Sequence, residues 1–274
     1  MRNLLIILAL AFVLLSCEEQ TDIMPVPNQN EQIAVDGLIT NKMGRHQVKL
    51  SYISQLPNEP AIPVTGAAVL ISTSDTTSML TESDDEPGTY ETNLTFKASL
   101  LTTYTLLITY KGEVYTAKAK MVVGLPILKT PTIKIKNNGL YHITWVARAY
   151  NANHPAMYEI KLNWGHLPAY KNLPENQTSA VLYYYSLPSI DVTEILMPEI
   201  ESVEFPAGTI LVEKRYSLAP EHAEFVRCLL LETAWKGGLF DTAPANLPTN
   251  LSQGAIGYFG ACYITTASLV VLPK

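Results

Sequence analysis

The sequence predicts a mainly β protein with two β-sandwich-like domains in tandem, the second of which carries one α-helix. Three observations predict it. From Ile33 onward, short segments alternate apolar with polar residues, which is the pattern of half-buried strands. Prolines interrupt this pattern between Leu125 and Pro131, and proline is disfavoured within a strand ladder. One segment, near residues 218–235, repeats its apolar residues with the period of an α-helix.

The first sixteen residues have the proportions of an export signal. Arg2 precedes an unbroken apolar run from Leu4 to Leu15, which is shorter than the ~20 residues that cross a bilayer and fits a signal-peptide core. The run ends in Leu14-Leu15-Ser16-Cys17, which resembles the bacterial lipobox. We therefore predict a signal peptide at residues 1–16 and lipid attachment at Cys17. The alternative is an ordinary secretory signal with an incidental cysteine.

Residues 17–31 are predicted to be a flexible tether, because they contain prolines and asparagines and few large apolar groups. The tether opens with Glu18 and Glu19 directly behind Cys17. This acidic pair resembles the signal that displays Bacteroidota lipoproteins on the outer face of the outer membrane. It predicts a lipid-anchored protein on the cell surface rather than on the periplasmic face. A solvated start of the tether is the alternative.

Residues 32–124 are predicted to form an immunoglobulin-like β-sandwich. Ile33, Val35 and Ile39 fall on one face of the first strand. Lys111-Gly112 separates two alternating segments and predicts a tight hairpin turn, because glycine accepts a positive φ. Short strands at this spacing, with no helical period between them, favour an immunoglobulin-like sandwich.

Residues 130–274 are predicted to form a second β-rich domain with a C-terminal helix and a signature loop. Ser217 is a suitable N-cap for the helix, and Pro220 fits its first turn. Gly237-Gly238 is expected to end the helix. A final strand from Ala255 closes the domain.

Charge and motifs exclude several classes of function. The chain has 19 Lys and Arg against 25 Asp and Glu, a net charge of −6, so no basic surface for nucleic acid is expected. The local motifs of common hydrolases, nucleotide-binding proteins and zinc proteins are absent from the sequence. We therefore predict no catalytic residue, no cofactor and no metal site. The five histidines are dispersed along the chain: His46, His142, His154, His166 and His222.

Two cysteines remain besides Cys17. Cys228 falls in the predicted helix and Cys262 in the predicted final strand. An exported protein can form a disulfide, but a buried cysteine is also a common small apolar residue. The sequence leaves both alternatives open.

Tyrosines supply one candidate contact site. Tyr183, Tyr184 and Tyr185 are consecutive, and side chains alternate along a strand, so the three cannot share a face. Tyrosine combines an apolar ring with a polar tip and is common at binding surfaces. These residues could contact a ligand, or they could be part of the core.

A second candidate is the loop from Gly237 to Ser252, which is rich in turn formers but also carries apolar side chains. Its candidate contact residues are Phe240, Asp241, Asn246 and Asn250. One interpretation is an outward contact loop. The other is that the apolar residues tuck under the helix while the polar ones satisfy turn backbone.

An ordered series of motifs resembles a family of Bacteroidota outer-membrane lipoproteins, domain of unknown function 4249. The C-terminal segments that carry the resemblance are Tyr216-Ser217-Leu218-Ala219-Pro220-Glu221, Gly238-Leu239-Phe240-Asp241, Pro244-Ala245-Asn246, Asn250-Leu251-Ser252 and Gly257-Tyr258-Phe259. Ile33 to Thr40 and Pro63 to Ala67 fit as well. The resemblance implies an outer-membrane lipoprotein associated with a TonB-dependent transporter, and it supplies neither a reaction nor a ligand.

The expected function is therefore a non-enzymatic binding lipoprotein of the outer membrane, an accessory lid or recruiting subunit of a TonB-dependent nutrient uptake system. Its ligand could be a small molecule, a peptide or a glycan. A structural or adhesive surface lipoprotein is the alternative, and an enzyme with a site assembled from dispersed residues is the third. A transporter partner distinguishes the first from the second.

Overall fold

The computed structural model describes residues 32–53, 60–128, 131–145, 153–187, 203–233 and 247–273. The described part consists of thirteen strands, one α-helix, α1 (Pro220–Thr233), and one 3-10 turn (Glu175–Gln177). The strands are β1 (Ile33–Thr40), β2 (Gln47–Tyr52), β3 (Ala68–Ser72), β4 (Thr77–Glu82), β5 (Thr89–Thr92), β6 (Thr103–Tyr110), β7 (Glu113–Lys120), β8 (Thr132–Ile135), β9 (Tyr141–Trp145), β10 (Ala156–Asn163), β11 (Ser179–Ser186), β12 (Ile210–Ser217) and β13 (Ala255–Val270). The prediction of a mainly β fold with a helix near residues 218–235 is confirmed.

One sheet contains eleven of these strands, in the order β11-β10-β12-β13-β1-β2-β5-β4-β3-β6-β7, and β8 and β9 form a separate hairpin. The long strand β13 pairs with strands on both sides of it, β12 and β1. Ala255 to Cys262 run parallel to β1, whereas Tyr263 to Val270 run antiparallel to β12. The sequence assigned this strand to the second domain alone. The division into two domains stays a prediction, and β13 is the strand that connects their ladders.

The first core cluster lies on the inward face of β1 to β7 and of the first half of β13. Ile33, Val35 and Ile39 are almost fully buried there, as their alternation predicts. Phe259 and Ala261 of β13 belong to the same cluster, so the C-terminal strand completes the core of the N-terminal strands. Lys111-Gly112 forms the two-residue turn between β6 and β7, and both residues have positive φ, as expected.

The second core cluster lies on the inward face of β10, β11 and β12. Tyr158, Ile160 and Leu162 of β10 point into it. Tyr141 of the β8–β9 hairpin joins the same cluster and forms a β-bridge with Phe205. The hairpin therefore covers this end of the sheet.

Helix α1 packs on the opposite face of the sheet through a third cluster that includes Leu218, Ala223 and Cys262. The His222 ring docks directly over Gly260, where an added Cβ would lie 2.5 Å from its Cε1 atom. Cys228 and Cys262 are both buried and not disulfide-bonded. Cys262 packs in the third cluster, whereas Cys228 Sγ lies 3.5 Å from Glu224 Oε1 on the helix. In the described part of the chain, no helix is long and apolar enough to cross a membrane.

Candidate functional site

A cavity of about 720 Å³ lies between α1 and the outer face of β1, β2 and β13. We call it the helix–sheet groove. Among its lining residues are Ala34, Asp36, Leu38, Lys49, Glu86, Leu218, His222, Phe225, Val226, Leu229 and Tyr258. Its volume is in the range of sites that bind small organic molecules, about 300–1,000 Å³.

The floor of the groove follows from strand alternation. Val35 and Gly37 of β1 face the first core cluster, so Asp36 lies on the opposite face and lines the groove. Tyr258 of β13 lies beside Asp36 in the parallel register. The close approach of the two strands requires Gly257, since its φ is +94° and a Cβ there would lie 2.1 Å from the Val35 carbonyl oxygen.

The wall of the groove is one flank of α1. The Tyr258 ring stacks with His222 at 4.6 Å between centroids and with Phe225 at 4.9 Å. These two helix residues are three positions apart and therefore neighbours on one face. Val226 and Leu229 extend the same apolar flank, so the wall offers van der Waals contact and few polar groups.

A thiol and an imidazole meet at the deep end, where His222 Nδ1 lies 3.6 Å from Cys262 Sγ. Burial lowers the pKa of His222 to about 4. It also raises the pKa of the Cys262 thiol to about 12. Both groups are neutral at pH 7, whereas a reactive cysteine needs its thiolate. The pair therefore serves as a neutral contact that holds α1 against β13. Separately, the described residues contain no group of three or more side chains that could bind a metal ion.

The charged lining residues, Asp36, Lys49 and Glu86, are exposed and form the rim at the edge of the groove floor. Lys49 lies opposite Asp36 in the β1–β2 ladder, yet its Nζ is 3.4 Å from Glu86 Oε2. In the ranges that the structure describes, the Asp36 carboxylate makes no hydrogen bond or ion pair. The groove thus combines an apolar wall with an unpaired carboxylate, which suits noncovalent binding of a partly apolar ligand.

The tyrosine triplet divides between the two faces of β11. Tyr184 is buried in the second core cluster, and burial raises its pKa to about 12. Tyr185 packs against the third cluster under α1. Tyr183 remains 50% exposed beside Glu159 of β10. Of the three residues, Tyr183 offers the largest surface for a ligand, and it lies outside the groove lining.

Asn250 connects two strands through its side chain. Its Nδ2 donates to the carbonyl oxygens of Lys118 at 2.9 Å and Phe259 at 2.7 Å, and its Oδ1 accepts from Phe259 N at 3.0 Å. Asn41 binds Ile264 N and O in the same way. The amide of Asn250 thereby bridges β7 and β13.

The other predicted site residues, Cys17, Phe240, Asp241 and Asn246, lie outside the described residues. The sequence analysis did not predict the groove, although two features of the sequence could have indicated it. Asp36 interrupts an otherwise apolar strand, and His222, Phe225 and Leu229 recur on one face of α1. These signals lie about 180 positions apart in the chain, so only the fold brings them together.

A buried carboxyl outside the groove also escaped the sequence analysis. Glu213 of β12 is 1% exposed, and its Oε2 has no hydrogen-bond partner within the described segments. Arg215, two residues along the same face, donates to Ser217 Oγ and His154 O instead. Burial raises the pKa of Glu213 to about 7.

Comparisons with known proteins agree with the motif series. A family model described as a domain of unknown function (DUF4249) matches residues 20–268. No curated protein matches the chain. Among solved structures, the FN1–FN3 domains of chicken CNTN1 are similar over 68% of this chain and 62% of that chain, with 11% identity and a TM-score of 0.28. Because the family model spans most of the chain, the protein belongs to the DUF4249 family.

Proposed function

We propose that the protein is a lipid-anchored, non-enzymatic binding protein of the bacterial outer membrane, an accessory lid or recruiting subunit of a TonB-dependent uptake system. The observation that carries the binding function is the helix–sheet groove. It is a preformed cavity with an apolar wall, a charged rim and a volume suited to a small ligand.

Two features of the sequence support the anchoring. The apolar run from Leu4 to Leu15 ends at Cys17 in a lipobox-like motif. The tether of residues 17–31 leads to β1, which supplies part of the groove floor. A lipid on Cys17 would therefore keep the groove close to the membrane and to a transporter in it.

The anchoring is tested by mass spectrometry of the membrane-extracted protein. We expect acyl mass on a peptide that begins at Cys17, and a shift of the protein to the soluble fraction for Cys17→Ala. A mature protein that starts elsewhere without lipid would contradict this part of the proposal.

The partnership is tested by affinity purification from solubilised outer membranes. We expect a TonB-dependent transporter to be retained by the wild-type protein. Loss of the transporter from a variant at exposed Tyr183 would place the contact on the sheet, and loss from a variant at Asp36 would place it at the groove. If adhesion is lost on gene deletion while no transporter is ever retained, the structural or adhesive function replaces this proposal.

A further inference from the structure

We propose that the helix–sheet groove selects cationic ligands, namely small molecules with an apolar or aromatic body and one ammonium group, and that Asp36 is the counter-ion. This inference rests on the proposed binding function and specifies its ligand class. It follows from the placement of the Asp36 carboxylate on the floor strand that faces the apolar wall of α1.

The carboxylate is aimed at the groove by the strand. Asp36 lies on the outer face of β1, between Lys49 on β2 and Tyr258 on β13. Lys49 is the nearest cation by register, but it is held by Glu86 at 3.4 Å. Among the described residues, no cationic side chain forms an ion pair with the Asp36 carboxylate, so a ligand cation can serve as its counter-ion.

The apolar body of such a ligand fits the opposite wall. Phe225, Val226 and Leu229 present apolar surface from α1 to the same cavity. Contact with this wall removes water from around the ligand, and a lower local dielectric strengthens the attraction between the carboxylate and the ammonium group. The ligand is therefore recognised at two points, its body by α1 and its charge by β1.

Charge around the groove disfavours the opposite class of ligand. The rim carries two carboxylates, Asp36 and Glu86, against the single ammonium of Lys49. The whole chain has a net charge of −6. An anionic ligand would face an unpaired carboxylate in a partly apolar site, and like charges there repel.

Three fluorescent probes with the same aromatic body test the inference. Dansylcadaverine is cationic at pH 7, dansylamide is neutral and dansylglycine is anionic. We would titrate each into the full-length protein in zwitterionic lipid nanodiscs, with empty discs as the blank. We expect dansylcadaverine to bind roughly 5- to 10-fold more tightly than dansylamide at low salt, since partly exposed ion pairs contribute modestly, and the preference to shrink as salt is raised.

Matched variants locate the effect. Asp36→Asn should abolish the preference for dansylcadaverine and leave the affinity for dansylamide unchanged. Asp75→Asn, at an exposed bend outside the groove lining, should leave both unchanged. Leu229→Lys removes apolar surface from the wall and places a cation there, so it should weaken both probes and weaken dansylcadaverine more than dansylamide. Both Asp36 and Leu229 are exposed, so these variants should retain the wild-type melting temperature.

The outcomes separate the two levels of the proposal. Equal binding of cationic and neutral probes, or a preference that survives Asp36→Asn, overturns the charge selection and leaves the binding function standing. If none of the three probes binds, the groove is not a small-molecule site, and the binding function proposed above fails together with this inference.

Discussion

Replacing Asn250 by alanine should destabilise the protein strongly, because its side chain serves as part of the sheet. The change removes three hydrogen bonds, two of them to the main chain of Phe259, which is fully buried. A hydrogen bond contributes about 1 kcal/mol net, and a buried main-chain group left without a partner costs about 1–3 kcal/mol. We therefore expect a loss of about 3 kcal/mol, or ~6–12 °C in melting temperature for a chain of this size.

Thermal and urea unfolding of the purified variant measure this loss, and hydrogen exchange at the Phe259 amide localises it. Asn163→Ala is the matched control, since the Asn163 side chain accepts one exposed bond from Gly165 N at 3.2 Å and should cost less than about 1 kcal/mol. Asn250→Ala with the stability of this control, and with unchanged protection at Phe259, would show that the bridge between β7 and β13 does not hold the sheet together.

Three further predictions concern Gly257 and two buried titratable residues, Glu213 and His222. Gly257→Ala should lower the free energy of unfolding by at least about 3 kcal/mol, because its Cβ would meet the Val35 carbonyl oxygen. The control is Gly139→Ala, which is also at positive φ but in open space. In the same urea titration it should lower the free energy of unfolding by only about 1–2 kcal/mol. Glu213 has its pKa raised from 4.5 to about 7, so its contribution to stability is present below pH 4.5 and is lost as pH rises through 7. Glu213→Gln should therefore be more stable than wild type by on the order of 3 kcal/mol above pH 7 and equally stable near pH 4.5. Unfolding free energies that depend on pH in the same way in both proteins would contradict this. His222 has its pKa lowered from 6.5 to about 4, so the contribution of His222 to stability should fall by up to about 3 kcal/mol between pH 6.5 and 4, opposite in sign to that of Glu213 and measured as the difference between wild type and His222→Asn. In His222→Asn this acid loss should disappear from unfolding curves measured across the same interval.

The class of the fold and much of its local structure can be predicted from the sequence alone. Alternation of apolar and polar residues identifies the buried face of a strand, so Ile33, Val35 and Ile39 were placed correctly in the core. The positions of α1 and of the Lys111-Gly112 turn also follow from local preferences. The ordered motifs identified the DUF4249 family. These features depend on residues close together in the chain.

The contacts between distant segments could be learned from the three-dimensional structure but not from the sequence. Alternation states which face of β13 is buried but not which strand pairs with it, because main-chain hydrogen bonds are available to any neighbour. The fold gives the first half of β13 to β1 and the second half to β12. The same pairing places Tyr258 beside Asp36 and under α1, which creates the helix–sheet groove. The groove could not be predicted from sequence, since its walls come from segments about 180 residues apart whose contact exists only once the sheet has formed.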